Sequence, residues 1–199
     1  MGILKKLTEE YFGNTIREED FINIDGLDVE IVSFTDNNGK KHKKGYKPKY
    51  RNDLKELLKR MIKVRGDEGN FNDIDTSDIA SMQFLFNYNS TFNGDITGWN
   101  VSSVISMDNM FLGATSFNQP IGNWEFPNVT DMSDMFYDAS SFNQPIGNWK
   151  FPNVENMEFM FKEATSFNQD LSKWDLKGKN KIEIFYNCPI KDEYKPKMK

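Results

Sequence analysis

The sequence predicts an α/β solenoid of about four and a half units, each 25 residues long, preceded by a small α+β module. Three residue types lead to this prediction, because tryptophan, phenylalanine and methionine each recur every 25 residues with no insertion. The recurring positions are Trp99, Trp124, Trp149, Trp174, Phe92, Phe117, Phe142, Phe167, Met82, Met107, Met132 and Met157. A fixed period of this length is typical of repeat proteins whose units bury their apolar faces only against their neighbours.

The first 49 residues stand outside the repeat and are expected to form the small α+β module. Residues 1–12 are compatible with a short helix. A hairpin is expected near residues 28–46, because the run from Asp36 to Gly39 is a strong turn signal between β-favouring segments.

Residues 50–70 are expected to contain a capping helix and a linker. The helix should run from Asp53 to about Val64, with Asn52 or Asp53 as its N-cap and Gly66 as its end. Its apolar face consists of Leu54, Leu57, Leu58, Met61 and Ile62. Since this helix directly precedes the first half-copy of the repeat, it should cover the open first end of the array.

The repeat array is expected over residues 71–190, followed by a basic tail at 191–199. Each unit should combine a short helical turn with a short strand. The helical turn is expected from the apolar spacing of Val129, Met132, Met135, Phe136 and Ala139, which largely fits one face of a helix or a 3₁₀ turn. The strand is expected around Ile121 to Trp124, because Pro120 cannot donate to a central sheet.

The repeat unit has the consensus FN-x-x-I-x-x-W…NVT-x-M-x-x-MF-x-x-A-x-SFN, best seen in Ser116 to Ser140 and Ser141 to Thr165. It resembles the 25-residue repeat of the BspA-type leucine-rich-repeat-like surface proteins, which are abundant in mycoplasmas and several host-associated bacteria. The resemblance covers about Phe71 to Ile190. It implies a leucine-rich-repeat-like fold and a binding protein at the cell surface or outside the cell, and it carries over no catalytic residue.

Charge is distributed unevenly along the chain. Residues 66–176 hold 3 basic and 16 acidic residues, a net charge of −13, whereas the segments 1–65 and 177–199 each have a net charge of +4. An acidic array repels nucleic acid and anionic membranes at long range, and it suits a basic protein partner. Solubility alone is the competing explanation of the charge.

The recurring side chains are interpreted first as structural. Aromatic ladders with one residue per turn are more typical of interior packing than of glycan or base binding, since equivalent atoms lie ~5 Å apart along such a stack. The asparagines that recur in all four copies should satisfy backbone groups at turns; they are Asn93, Asn118, Asn143 and Asn168. The seven repeat methionines should fill the core.

The sequence offers little for catalysis, and we expect no enzyme, no cofactor and no metal site. Cys188 is the only cysteine and His42 the only histidine, which excludes a cysteine-based metal site and a histidine metal cluster. Asp73, Asp75 and Asp78 lack the glycine and closing glutamate of a calcium loop. No phosphate-binding, hydrolase or zinc-protease motif occurs.

The location of the protein stays open at this point. The resemblance implies the cell surface or secretion. The start of the chain has no signal peptide pattern, which favours the cytoplasm. No stretch approaches 18 apolar residues, so we expect no membrane insertion. The oligomeric state is unknown.

The positions that vary between copies while their neighbours stay constant are the candidates for binding. Those beside the tryptophans form the predicted recognition face: Asn123, Glu125, Asn148, Lys150, Lys173 and Asp175. Neutral surface drift is the alternative explanation. The leading hypothesis is a non-catalytic protein-interaction module with a role in adhesion or host contact. The alternatives are an intracellular binding, inhibitor or immunity-type protein for a basic partner, and an enzyme hidden in residues 1–70.

Overall fold

The computed structural model describes residues 24–35, 39 and 41–197. Strands β1 (Val29–Thr35) and β2 (Lys41–Pro48) form an antiparallel pair with an irregularity between Val32 and Phe34. The predicted hairpin near residues 28–46 is therefore confirmed. Its turn at 36–38 and the helix expected over residues 1–12 lie outside the described residues.

Helix α1 (Arg51–Arg65) follows the hairpin and matches the predicted capping helix. Four members of the predicted apolar face are buried: Leu54, Leu57, Leu58 and Met61. Gly66 ends the helix with a φ of 77°, and its N–H donates to the Ile62 carbonyl. The predicted N-cap was wrong, because Tyr50 holds that position without a side-chain cap. The Asp53 carboxylate instead accepts a hydrogen bond from the Asp28 N–H at 3.2 Å.

Each copy of the repeat contributes two successive β-turns, which we call a double turn. The double turns occupy residues 82–89, 107–114, 132–139, 157–164 and 181–188. In the third of them, Met135 N–H donates to the Met132 carbonyl at 3.3 Å and Ala139 N–H to the Phe136 carbonyl at 3.1 Å. The third residue of every turn has a positive φ, as a type II turn requires. These residues are Phe84, Tyr88, Asn109, Gly113, Asp134, Asp138, Phe159, Glu163, Glu183 and Asn187.

Backbone hydrogen bonds join each double turn to the next in a parallel ladder. Every second N–H in one double turn donates to a carbonyl of the following copy. From the third copy the donor and acceptor pairs are Met132 to Asn156, Asp134 to Glu158, Phe136 to Met160 and Asp138 to Lys162, at 2.8–2.9 Å. Isolated parallel bridges run through Ser81, Ser106, Asp131, Asn156 and Asn180. The copies therefore lie in register, one against the next.

The ladder corrects two details of the predicted unit. Residues 121–124 form a turn closed by Trp124 N–H to the Ile121 carbonyl at 3.1 Å, so the strand expected there is absent and the extended pairing position is Asp131. The Gly122-Asn123 pair favours that turn. Residues 129–139 contain no helix. A helix would direct each N–H to the carbonyl four residues earlier, whereas alternate N–H groups of this segment donate to the neighbouring copy.

Helix α1 covers the first end of the ladder, as its position in the sequence predicted. In later copies the carbonyl equivalent to that of Gln83 accepts an N–H from the preceding copy. At Gln83 itself the donor is Arg51 Nη1, at 2.7 Å. Lys55 Nζ donates to the neighbouring Phe84 carbonyl at 3.3 Å. Arg51 thus satisfies one edge carbonyl that no preceding copy can reach.

The core is built from columns of identical side chains, which confirms the interior assignment of the aromatic and methionine ladders. One phenylalanine column (Phe92, Phe117, Phe142, Phe167) stacks at 6.0–6.1 Å between ring centroids. A second column (Phe86, Phe111, Phe136, Phe161) stacks at 5.4–5.5 Å. The four tryptophans are 2–4% exposed and the seven repeat methionines are fully buried.

The asparagine column satisfies backbone groups between copies, as predicted. Each Asn Oδ1 accepts a hydrogen bond from the backbone N–H of the next asparagine at 2.9–3.0 Å. The glutamine that follows donates its amide to the previous asparagine as well; Gln169 Nε2 lies 2.8 Å from Asn143 Oδ1. The last acceptor, Asn168, receives Lys191 N–H at 3.0 Å.

Replacing a core tryptophan should strongly destabilise the fold. Trp124→Ala removes a buried indole, and we expect the free energy of unfolding to fall by ~3–5 kcal/mol. Urea denaturation followed by circular dichroism measures this. Trp124→Phe should cost less than Trp99→Phe, because Trp99 Nε1 donates to the Phe71 carbonyl at 3.0 Å and Trp124 Nε1 has no partner. An unchanged unfolding curve for Trp124→Ala would contradict the buried position.

Removing one asparagine of the column should also be costly. Asn143→Ala leaves the Asn168 N–H without its acceptor and removes one of the two acceptors of the Gln169 amide, which keeps the Asn143 backbone carbonyl. We therefore expect a loss of about 1–3 kcal/mol in unfolding free energy. Asn123→Ala is the matched control, since the exposed Asn123 makes one hydrogen bond to the Thr97 carbonyl. Equal effects of the two substitutions in urea denaturation would refute the structural role of the column.

Candidate functional site

The double turns present one continuous surface, which we call the turn face. The side chains at the first, fourth, fifth and eighth positions of the three central double turns are buried. Those at the second, third, sixth and seventh positions are exposed or half-buried, apart from Gly113. Because the ladder holds the copies in register, equivalent positions form rows across the array. These rows constitute the turn face.

Carboxylates dominate the turn face. It carries six of them and one cation, Lys162; the carboxylates belong to Asp108, Asp134, Asp138, Glu158, Glu163 and Glu183. Lys162 is already engaged, because its Nζ lies 2.9 Å from Glu183 Oε2 and 4.7–5.6 Å from the ring centroids of Phe159, Tyr186 and Tyr137. The hydrogen bond to Glu183 raises the pKa of Lys162 and keeps it charged.

Asp134 lies at the centre of the acidic rows. Burial raises the pKa of its carboxyl above the ordinary value for aspartate. Neighbouring carboxylates raise it further; they belong to Glu158, Asp131 and Asp108. Like charges that are held close together disfavour ionisation of each member. The turn face therefore contains charge that the chain itself does not neutralise.

Three aromatic residues of the turn face have left-handed backbone conformations. Phe84, Tyr88 and Phe159 have φ values of 55°, 53° and 55°. Such values are rare for bulky residues and cost free energy. The Tyr88 ring lies against Gly113, where an added Cβ would come within 2.6 Å of Cδ1, yet the tyrosine stays 71% exposed. Phe84 is 41% exposed. Apolar surface thus accompanies the carboxylates.

The six residues of the predicted recognition face are all exposed, and each lies beside a buried tryptophan. Two of them line one shallow groove of about 180 Å³ between neighbouring copies: Asn148 and Lys173. Asp175 is partly committed to structure, since its Oδ1 accepts the Lys177 N–H at 3.0 Å. The charged members, Glu125, Lys150, Lys173 and Asp175, include both signs. This face is therefore not the acidic one.

A wider open groove of about 590 Å³ separates helix α1 from the first double turn. Leu58, Ile62, Leu85 and Phe86 contribute apolar surface to it, and helix lysines line its rim. No sequence pattern predicted this groove, because it depends on the angle between helix α1 and the first double turn, which differ in conformation.

The other titratable candidates are engaged in the structure. Arg65 pairs with both Asp73 oxygens at 2.7 Å, and Lys47 lies 3.0 Å from Asp78 and 3.8 Å from Asp75. Among the described residues no three His, Cys, Asp or Glu side chains come together as a metal site. Burial raises the pKa of the Cys188 thiol to about 11, which disfavours the reactive thiolate.

The family model described as "Mycoplasma protein of unknown function, DUF285" matches residues 52–174 and again residues 124–189. The chain belongs to this DUF285 family. The first match alone covers more than half of the 199 residues, and the two matches overlap as expected for a repeat. The matched range begins in helix α1 and reaches the last double turn, so it contains the whole turn face.

No curated protein matches the chain, and no solved structure matches it. Within the part of the chain that the structure describes, no helix is long and apolar enough to cross a membrane.

Neutralising Asp134 should stabilise the protein. Its raised pKa means that the ionised form is disfavoured in the folded state, so Asp134→Asn should add a few tenths to about 1 kcal/mol at neutral pH. The gain should shrink as the pH falls through the folded-state pKa and vanish below the pKa of an unfolded aspartate. Urea denaturation at several pH values measures it.

The matched control for this prediction is Asp138→Asn, which changes an exposed aspartate with a similar left-handed backbone. Asparagine suits this conformation, as Asn109 demonstrates at the position equivalent to Asp134. A loss of stability in Asp134→Asn at neutral pH, or a gain that persists in acid, would contradict the assignment.

Proposed function

We propose that the chain is a non-catalytic protein-interaction module of the BspA-type leucine-rich-repeat-like surface family, and that its repeats form an α/β solenoid with an acidic binding surface. Membership of a mycoplasma repeat family supports the first part. The register of the double turns supports the second, because each copy bonds to the copies on either side of it. Repeat arrays of this kind offer extended surfaces to partners.

The turn face is the observation that carries this proposal. Its carboxylates outnumber its cations six to one, and the single lysine is paired within the chain. Exposed aromatic side chains beside these charges supply the contact area in which protein interfaces are enriched. A basic protein surface would complement the carboxylates and be steered toward them at low salt. The partner that fits best is therefore a basic protein with accessible apolar side chains.

The row beside the tryptophans is the second contact surface in the proposal. Asn123, Glu125, Asn148, Lys150, Lys173 and Asp175 are exposed, and their side chains change from copy to copy while the tryptophans stay constant. Their mixed charge suits selection among partners rather than attraction of one sign. They would add specificity to an interaction that the turn face drives.

Adhesion or host contact is the role that the family resemblance implies. The alternative is an intracellular binding, inhibitor or immunity-type protein for a basic partner. The unpaired carboxylates of the turn face support both roles equally, because each role needs an acidic surface that complements a basic partner. Only the source of the partner distinguishes them.

Partner capture with two matched variants tests the proposal. The turn-face variant carries Asp108→Asn, Asp134→Asn and Glu158→Gln; the row variant carries Glu125→Gln and Lys150→Gln. Cross-linked partners from host-cell surfaces and from bacterial extract are identified by mass spectrometry. Each partner is then purified, and its affinity for the three forms is measured at low and high salt. We expect the turn-face variant to bind about tenfold more weakly at low salt, since it loses three partly exposed charge pairs.

The outcomes separate the hypotheses. A host surface protein with this behaviour supports adhesion, and a bacterial protein supports the intracellular alternative. Weaker binding by the row variant alone would move the interaction to the tryptophan side. Equal affinities of all three forms for every purified partner would refute a role for either surface.

A further inference from the structure

The last double turn leaves one row of the ladder open. In the preceding copies, the N–H groups at the first, third, fifth and seventh positions donate to the next copy. In the double turn 181–188 the equivalent donors are the N–H groups of Lys181, Glu183, Phe185 and Asn187. None of these four has an acceptor among the described residues.

The open row keeps the conformation of a bonded one. Glu183 and Asn187 have φ values of 47° and 51°, matching their counterparts in earlier copies. Asn180 still pairs with Asn156 as a parallel bridge. Phe185 continues the second phenylalanine column at 5.8 Å from Phe161. The donors are therefore already arranged as the ladder requires.

The end of the chain covers a different part of the last copy. Lys191 N–H donates to Asn168 Oδ1, the last acceptor of the asparagine column, and Leu171 N–H donates to the Tyr194 carbonyl at 2.8 Å. These contacts continue the other half of the unit. Beside the four donors, Ile182 and Tyr186 stay 56% and 50% exposed. An accessible apolar rim thus surrounds the open row.

We propose that this open row binds an acidic, turn-forming segment of a partner protein, which adds one further double turn to the ladder. Its backbone carbonyls at every second residue would accept from the four free N–H groups. An unpaired row of backbone donors is a template for adding a chain.

Charge and geometry define the occupant. The described residues 177–197 contain six lysines and three carboxylates. All three carboxylates are paired within the chain, Glu183 with Lys162, Asp192 with Lys195 and Glu193 with Lys191. This end is therefore basic and complements an acidic segment. The occupant also needs Asp, Asn or Gly at two positions four residues apart, where the ladder demands positive φ.

A second copy of this chain does not fit. Two open rows facing each other would oppose donors to donors. A head-to-tail contact would need the carbonyl edge of the first copy, where Arg51 already donates to the Gln83 carbonyl and helix α1 lies opposite Leu85 and Asn87. The occupant must therefore bring free carbonyls from another segment.

A synthetic peptide with the sequence of residues 128–140 is the probe, because it carries aspartates at both left-handed positions and a net charge of −3. Binding to the full chain is measured by fluorescence anisotropy against a scrambled peptide of the same composition. Lys181→Pro removes one of the four donors, and Lys181→Ala removes the same side chain but keeps its N–H. Proline is compatible there, since Asn180 before it is extended.

We expect the probe to bind and the scrambled peptide to bind far more weakly. Lys181→Pro should weaken probe binding about three- to tenfold relative to Lys181→Ala, the effect of one backbone hydrogen bond. Hydrogen exchange measured by NMR should show slower exchange of the Lys181, Glu183, Phe185 and Asn187 amides in the wild-type complex. That measurement keeps the test valid if Lys181→Pro fails to fold.

Three results would overturn the proposal: no probe binding at its solubility limit, equal binding by the two Lys181 variants with the same fold, or protection confined to other residues. These results would leave the proposed function untouched. The open row is a basic site at the end of the array, whereas the turn face is acidic and binds a basic partner.

Discussion

The structure depends on the ladder of backbone hydrogen bonds between successive double turns. Every second N–H must reach a carbonyl of the next copy, so the copies have to stay in register along the entire array. An insertion inside a double turn would move each buried side chain out of its column. The bridges are 25 residues apart from Ser81 to Asn156 and 24 apart at the last step. The shortening falls after Trp174, outside the double turns, where it shifts no ladder residue.

The ladder also gives the array a direction, and the two ends consequently pose different problems. The first end exposes carbonyls, and a cationic side chain can satisfy one of these from a distance. Arg51 of helix α1 does so at the Gln83 carbonyl. The last end exposes N–H groups, which need acceptors. The lysines that dominate residues 177–197 cannot accept, and the three carboxylates there are paired with lysines. The donor row therefore stays open among the described residues, whereas a basic helix side chain serves the other end.

The sequence predicted the core and the capping helix but not the local backbone of the repeat. A double turn buries its first, fourth, fifth and eighth residues, which is the spacing of a helix face, so periodicity alone cannot distinguish the two. The distinguishing signal was present in Asn109, Gly113, Asp134 and Asp138, which tolerate positive φ. Phe84, Tyr88 and Phe159 at equivalent positions obscured it. The sequence revealed the acidic net charge of the array but not the surface that carries it. The double turns decide which side chains are exposed, and their conformation was not predicted.

Those same aromatic residues argue that the turn face is more than a soluble exterior. The chain satisfies the left-handed positions with Asn, Asp or Gly in two central copies, so the repeat has an inexpensive solution for them. At Phe84, Tyr88 and Phe159 it accepts strain of about 1–3 kcal/mol per residue. Solubility cannot explain aromatic residues at these positions, since large exposed apolar rings lower the solubility of a protein. Burial does not explain it at Phe84 and Tyr88, which are 41% and 71% exposed. A partner that covers these rings and neutralises the neighbouring carboxylates would offset both costs at once.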